Sequence, residues 1–136
     1  FVNDMYILSK PKIQNIFSED VAYKLDEHDI SYGRDLPIVG KSGVVHSFDF
    51  FISANKNQKE KFINAIANPN NPMIIKSKLT DAVQAKKIKR QRPNEFIFIL
   101  NDTNKEVNLQ NKSFLHENDI KTIDYSELDQ KIELLI

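Results

Sequence analysis

The feature that most constrains the fold is a run of β-branched and aromatic residues, VVHSFDFFIS, at positions 44–53. Residues of these types favour extended strands, and turn residues bound the run on both sides. Apolar side chains occur on both faces of the run, which is typical of a central strand covered on both sides. We therefore expect an α/β fold in which helices flank a central sheet.

The segment that follows this strand fits two secondary structures. Polar residues come first and an apolar stretch at 62–66 comes next, a pattern that favours a second strand after a tight turn. A helix over residues 59–67 fits the same sequence. If the segment is a hairpin, a two-residue turn at 56–57 places Asp49 directly opposite Asn64.

Apolar periodicity predicts the other elements. Spacings of three and four residues indicate helices, and short apolar runs indicate strands. Ser18 is a position at which the first helix would divide in two. In chain order the elements are a helix at 11–28, a strand around Leu36–Val39, a helix at 72–90, a strand at 95–100, a short helix around 110–117, a strand at 120–125 and an end helix from Ser126.

Composition narrows the class of protein. A length of 136 residues suits one domain over residues 1–136, and because Phe rather than Met stands first we expect the C-terminal domain of a longer protein. The chain has no Cys, which excludes disulfides and thiolate metal sites and fits a cytoplasmic compartment. No apolar run approaches the roughly 20 residues that span a bilayer, so we expect no membrane contact.

Charge is unevenly distributed along a chain whose formal net charge is zero. The segment 76–92 contains a single acid, Asp81, among seven basic side chains. Such a patch attracts phosphate groups or acidic partners, whereas the simpler interpretation is a solvated helix face. The candidate nucleic-acid-binding residues are Lys76, Lys78, Lys86, Lys87, Lys89, Arg90 and Arg92.

Two of these cations are ambiguous. Lys86 and Arg90 continue the apolar stripe of the helix at 72–90. Their stems can lie along apolar surface with the charged groups in water, or the charged groups can reach into a cleft.

The order helix, three strands, helix, strand, followed by a further strand and helix, resembles the core of the PD-(D/E)XK nuclease fold, also called restriction-endonuclease-like. The resemblance implies an acid on the second strand and an acid-x-Lys sequence on the third, which hold Mg²⁺ and stabilise the reacting phosphate. Asp49 occupies the first place. In the hairpin register, Asn64 stands where the second acid belongs and Ile66 where the lysine belongs.

The nuclease motif is therefore incomplete, and we expect an inactive scaffold with no metal site and no cofactor. If residues 74–76 form the third strand instead, the motif has a lysine, Lys76, but still has no second acid. An active nuclease would need Mg²⁺, with Asp49, Glu19 and Asn64 as catalytic residues. Its displaced cation would be Lys41, Lys61 or Lys86. Under the inactive interpretation, Asp49 accepts backbone hydrogen bonds or pairs with a lysine.

A second resemblance, to a bacterial family known only as domain of unknown function 1829, rests on several short stretches. It spans nearly the whole chain, is strongest from Phe17 to Thr103, and fades in the last third. The family carries no settled activity, and its domain usually follows a second uncharacterised domain. The stretches are residues 17–21 (FSEDV), 40–43 (GKSG) leading to 46–50 (HSFDF), 64–69 (NAIANP), and 96–98 (FIF) running to 101–103 (NDT).

Three functions stay open. The first is a catalytically degenerate nuclease-like module that binds DNA or RNA through the segment 76–92. The second is a protein-interaction or inhibitory module of a mobile-element or defence-related protein, whose partner is another protein or the missing N-terminal domain. The third is an active metal-dependent nuclease. A zinc site is not expected, because His28, His46 and His116 lack ligand spacing.

Overall fold

A computed structural model describes residues 10–40, 43–56, 58–88 and 93–135 of the chain. Three α-helices, five strands and two short 3₁₀ turns occur in these residues. They are α1 (Lys10–Glu27), β1 (Gly33–Val39), β2 (Val45–Ile52), β3 (Glu60–Ile66), α2 (Pro72–Lys86), β4 (Asn94–Leu100), α3 (Leu109–Glu117), β5 (Lys121–Asp124) and the 3₁₀ turns Tyr125–Glu127 and Ile132–Leu135.

The strands form one mixed sheet in the order β1-β2-β3-β4-β5. The first three strands pair antiparallel, because short turns connect them. The pairs β3–β4 and β4–β5 are parallel, and each is joined by a crossover through a helix. The predicted α/β class, the mixed sheet flanked by helices and the order helix, three strands, helix, strand, strand are therefore confirmed.

The two faces of the sheet are covered by different helices. On the α1 face, aliphatic side chains such as Val21, Leu25 and Ile63 pack together. On the α2 face, which α2 and α3 cover, the core is built around aromatic rings. The ring centroids of Phe62 and Phe96 lie 5.0 Å apart in a stacked arrangement. All of β3 and residues 96–100 of β4 are buried between these two apolar layers. Polar groups are therefore presented at the edges of the sheet and on the helices.

Three sequence-based expectations are wrong. The helix α1 does not divide at Ser18, whose side chain is buried and whose hydroxyl accepts a hydrogen bond from Arg34. The helix α2 ends at Lys86, whereas the sequence predicted a helix as far as residue 90. Residues 125–135 form two 3₁₀ turns joined by residues 128–131 and no α-helix, and the Ser126 amide, which donates to the Asp102 carboxylate, holds this segment against the β4–α3 loop.

Asparagine side chains position the start of α2. Pro72 lies in the first turn, as its position in the sequence predicts, and the Asn71 carbonyl oxygen accepts from the amides of Met73 and Ile74. Asn70 bridges to the next loop: its amide donates to the Glu106 carbonyl, 3.0 Å away. The loops at the carboxyl ends of β3 and β4 are therefore tied together, and α2 starts from a fixed point.

Candidate functional site

The hairpin places Asp49 and Asn64 side by side, in the predicted register. The pairs Phe50–Ile63 and Phe51–Phe62 belong to the β2–β3 ladder, and an isolated bridge joins Asn55 to Gln58. The alternative of a helix over 59–67 is wrong, because residues 60–66 form a buried strand that pairs along its length with β4 and at 61–63 with β2. The alternative third strand at 74–76 is also wrong, since these residues lie in α2.

Side chains replace the backbone ladder where β2 and β3 separate. The Asp49 amide donates to the Asn64 Oδ1 atom at 3.1 Å, and the Ala65 amide donates to the Asp49 Oδ2 atom at 2.8 Å. Asn64 is fully buried, and its Nδ2 group has no hydrogen-bond partner among the residues that the structure describes. Asp49 and Asn64 therefore act first as a reciprocal clip between two strands.

The environment of Asp49 disfavours its charge. Burial raises the pKa of this carboxyl, while the hydrogen bond from Ala65 and the nearby ammonium of Lys78 act to lower it. Asp35 raises the pKa further and Arg34 lowers it. Lys78 lies on α2, so a cation of the basic segment favours the charged form of the acid on β2.

Glu19 lies apart from this clip. Its exposed carboxylate pairs with the Arg34 guanidinium at 2.7 Å, and that hydrogen bond lowers the pKa of Glu19. Arg34 stands over the Phe50 ring, 5.4 Å from its centroid. Glu19 therefore pairs with Arg34 and not with Asp49. Ile66, at the position of the expected lysine, is fully buried in the core of the α2 face.

The lysines that the sequence offered as a displaced cation lie elsewhere. Lys61 is buried on β3, its pKa is lowered by desolvation, and its ammonium donates to the Lys59 carbonyl at 3.4 Å. Lys86 is the last residue of α2, and its ammonium donates to carbonyls just past the C-terminus of α3, whereas Lys41 falls outside the described residues. The lysine that acts on Asp49 is Lys78, which sequence reasoning had assigned only to nucleic-acid binding. Across the described ranges, no three His, Asp or Glu side chains are grouped to hold a metal ion.

The helix α2 has two sides. Its inward side packs on the sheet through a stripe of apolar residues, of which Ile75, Leu79, Ala82 and Ala85 are buried. Asp81, Lys78 and Lys86 flank this stripe and are half-buried. On the outward side every residue is exposed. The outward side consists of Met73, Lys76, Ser77, Thr80 and Gln84 and is continued by Lys87, the C-cap residue of the helix.

On the inward side, two charged groups have partners within the fold. The Asp81 carboxylate lies 2.9 Å from the Nδ1 atom of His46, a buried residue on β2. The Lys86 ammonium donates to the carbonyls of Asn118 (2.9 Å) and Asp119 (2.8 Å) at the C-terminus of α3. A cation is favourable there because the last carbonyls of a helix carry partial negative charge. This contact decides the ambiguity over Lys86, whereas Arg90 lies outside the described residues.

On the outward side, two cations face the solvent. Lys76 and Lys87 are 11 residues apart, which separates them by about 16 Å along the helix axis and leaves them on the same side. The α2 sequence contains no acid other than Asp81. Lys89, Arg90 and Arg92 continue the basic segment but lie outside the described residues.

Sequence reasoning missed the pair of His46 and Asp81. The two residues are 35 positions apart, so no local spacing connects them. The one signal was the alternation along β2, which places His46 on the same face as the buried Phe48 and therefore towards α2.

Comparison with known proteins gives one match. The family model described as Domain of unknown function DUF1829 matches residues 40–128, which contain β2 to β5, the Asp49–Asn64 clip and the whole basic segment. No curated protein matches the chain, and no solved structure matches it. In the described part of the chain, none of the helices has the length and apolar character needed to cross a membrane.

Proposed function

The chain belongs to the DUF1829 family, whose description assigns no activity, and we propose that it binds nucleic acid through α2 on a nuclease-like scaffold that lacks a competent catalytic set. The order of elements and the pairing directions of β1 to β4 support the scaffold part of this proposal. The lysines of the basic segment at α2 and its C-cap support the binding part.

One observation carries the binding part: the only acid of the segment 76–92 is held on the inward side of α2. The contact between Asp81 and His46 keeps that carboxylate at the sheet. The outward side therefore presents Lys76 and Lys87 with no acid between them. Phosphate groups are the natural counter-charge for such a surface, and their neutralisation releases condensed counterions.

The Asp49–Asn64 clip supports binding without hydrolysis. One oxygen of Asp49 accepts from a backbone amide, and the only oxygen of the Asn64 side chain accepts from another. Ile66 offers no charge, and it is buried in the core. A nuclease of this type would need a second carboxylate and a cation at these two positions.

The binding part is tested with a labelled DNA duplex at several salt concentrations. We expect the logarithm of the affinity to fall linearly with the logarithm of the salt concentration. The double variant Lys76→Glu and Lys87→Glu should bind at least about 100-fold more weakly, as expected for two lost phosphate contacts. Lys56→Glu, an exposed lysine on the β2–β3 turn, is the matched control and should change the affinity less than about twofold.

Two outcomes would overturn the binding part: no affinity for any nucleic acid at low salt, or unchanged affinity in the folded double variant.

The catalytic part is tested with plasmid DNA and Mg²⁺ or Mn²⁺. We expect no cleavage. Metal-dependent cleavage that disappears in Asp49→Ala would show that the site is active.

A second function, a protein-interaction module, is favoured by a different surface. Val39, Val44 and Val45, where β1 passes into β2, are each more than half exposed, at 61%, 54% and 54%. Exposed apolar residues that cluster in this way mark contact sites in many soluble proteins. A protein that copurifies in equal amounts, and is lost in Val44→Ser with Val45→Ser, would support this function over nucleic-acid binding.

A further inference from the structure

The outward side of α2 has the size of a helix that enters a DNA groove. The helix has 15 residues, which gives a length of about 22 Å, and a helix with its side chains is about 10–12 Å wide. The major groove of B-form DNA is about 12 Å wide and admits such a helix. The major groove of A-form RNA is deep and narrow, so side chains on a helix cannot read it.

The order of side chains along this side suits contact with a duplex. Lys76 and Lys87 stand near the two ends, about 16 Å apart. Between them lie the exposed, uncharged residues Ser77, Thr80 and Gln84. The Thr80 hydroxyl donates to the Lys76 carbonyl at 2.8 Å and can offer a ligand only an acceptor, whereas Gln84 can both donate and accept. Cations that flank a groove position a protein on phosphates, and polar side chains between them contact base edges. Among these, the amide of Gln84 can pair with adenine at N6 and N7.

The same side lacks what a single-strand binder uses. Proteins that hold single strands stack the unpaired bases on aromatic side chains. The α2 sequence contains no aromatic residue. The outward side of α2 therefore offers groups that suit phosphates and base edges, and none that stack on bases.

We infer that the nucleic acid is duplex DNA and that the outward side of α2 lies in its major groove, with Lys76 and Lys87 on phosphates and Gln84 at a base edge. This inference rests on the proposed function and narrows its partner to one class.

The first test compares three ligands of the same sequence at one salt concentration: duplex DNA, duplex RNA and single-stranded DNA. We expect duplex DNA to bind at least tenfold more tightly than either of the others. Equal or tighter binding of duplex RNA or of single strands would overturn this inference and leave the proposed function intact. Absence of binding to all three would remove both.

The second test locates the contact on the DNA. The N7 atom of guanine lies in the major groove, so its methylation by dimethyl sulfate reports occupancy of that groove. We expect the protein to protect guanines within its site, and the protection to disappear in Lys76→Gln with Lys87→Gln. Bound duplex DNA without any protected guanine would overturn the inference.

The third test separates the two kinds of contact. Lys76→Gln with Lys87→Gln should reduce the salt slope by about 2, since each phosphate contact contributes about 0.9. Gln84→Ala should leave the salt slope unchanged. It should reduce about tenfold the ratio of affinities between duplexes of different base sequence. Gln110→Ala, an exposed glutamine on α3, is the control and should alter neither. An unchanged slope in the lysine variant, or an unchanged preference in Gln84→Ala, would contradict the placement.

Discussion

The charged side chains on the two sides of α2 differ in whether they have partners within the fold. On the inward side, Asp81 is paired with His46, and the Lys86 ammonium binds the last carbonyls of α3. On the outward side, Lys76 and Lys87 face solvent. Neighbouring residues in a helix point about 100° apart, so Lys86 and Lys87 fall on different sides although they are adjacent in sequence. The number of charges in a segment is therefore a poor measure of the charge that the folded surface presents.

The Asp49–Asn64 clip on β2 and β3 resembles the inward side of α2, because its polar groups also bind partners within the fold. Its polar atoms hold β2 and β3 together where their ladder ends, and the positive charge of Lys78 on α2 lowers the pKa of its carboxyl. Inward polar groups should thus affect stability more than ligand affinity, and outward groups should do the reverse.

The largest expected effect of breaking an inward group is that of Asp49→Ala. The change removes the acceptor of the buried Ala65 amide, so we expect a loss of about 1–3 kcal/mol in the free energy of unfolding, measured with urea. The affinity for duplex DNA should stay within about twofold of wild type, because no outward residue changes. A variant as stable as wild type would show that the clip is not structural.

Asp81→Ala should move stability and affinity in opposite directions. The buried imidazole of His46 loses its partner, which we expect to cost about 1–2 kcal/mol in a urea titration. The affinity for DNA should rise, because a negative charge beside the basic surface is removed. Weaker binding by the folded variant would contradict the assignment of Asp81 to the inward side.

The adjacent lysines Lys86 and Lys87 provide a matched pair. Lys86→Ala removes the cation at the C-terminus of α3 and should reduce stability by about 1 kcal/mol while leaving most of the affinity. Lys87→Ala should change stability by less than about 0.5 kcal/mol and weaken DNA binding. Thermal melting and binding titrations on both variants measure these effects. Identical behaviour of the two variants would contradict the distinction between the inward and outward sides of α2.

The smallest expected effect is a change in pH dependence. Because the pKa of Asp49 is raised in the folded state, folding retains a proton that the unfolded chain releases above about pH 4. Its contribution to stability is present at low pH and is lost as the pH rises through the folded pKa. Asp49→Asn, which keeps an acceptor oxygen, should flatten the stability profile above pH 4 by less than about 1 kcal/mol. A steeper decline in the variant would mean that the carboxylate is favoured in the fold.

The sequence by itself determined the local elements. The β-branched and aromatic run at 44–53 specified β2, and Pro72 marked the first turn of α2. On the condition that residues 60–66 form a strand, the predicted two-residue turn gave the pairing of β2 with β3. These features follow from periodicity and from turn length, which involve only neighbouring residues. For the same reason Asp49 and Asn64 could be paired before any coordinates were known.

Only the tertiary structure decided which polar groups are engaged. Residues 60–66 form a strand and not a helix because they pair with β2 on one side and β4 on the other. In place of the expected end helix are 3₁₀ turns, and Asp102 holds Ser126 there. The partner of Lys86 is 32 residues away and that of His46 is 35 residues away. Such contacts depend on how whole elements pack, which the spacing of residues along the chain does not encode.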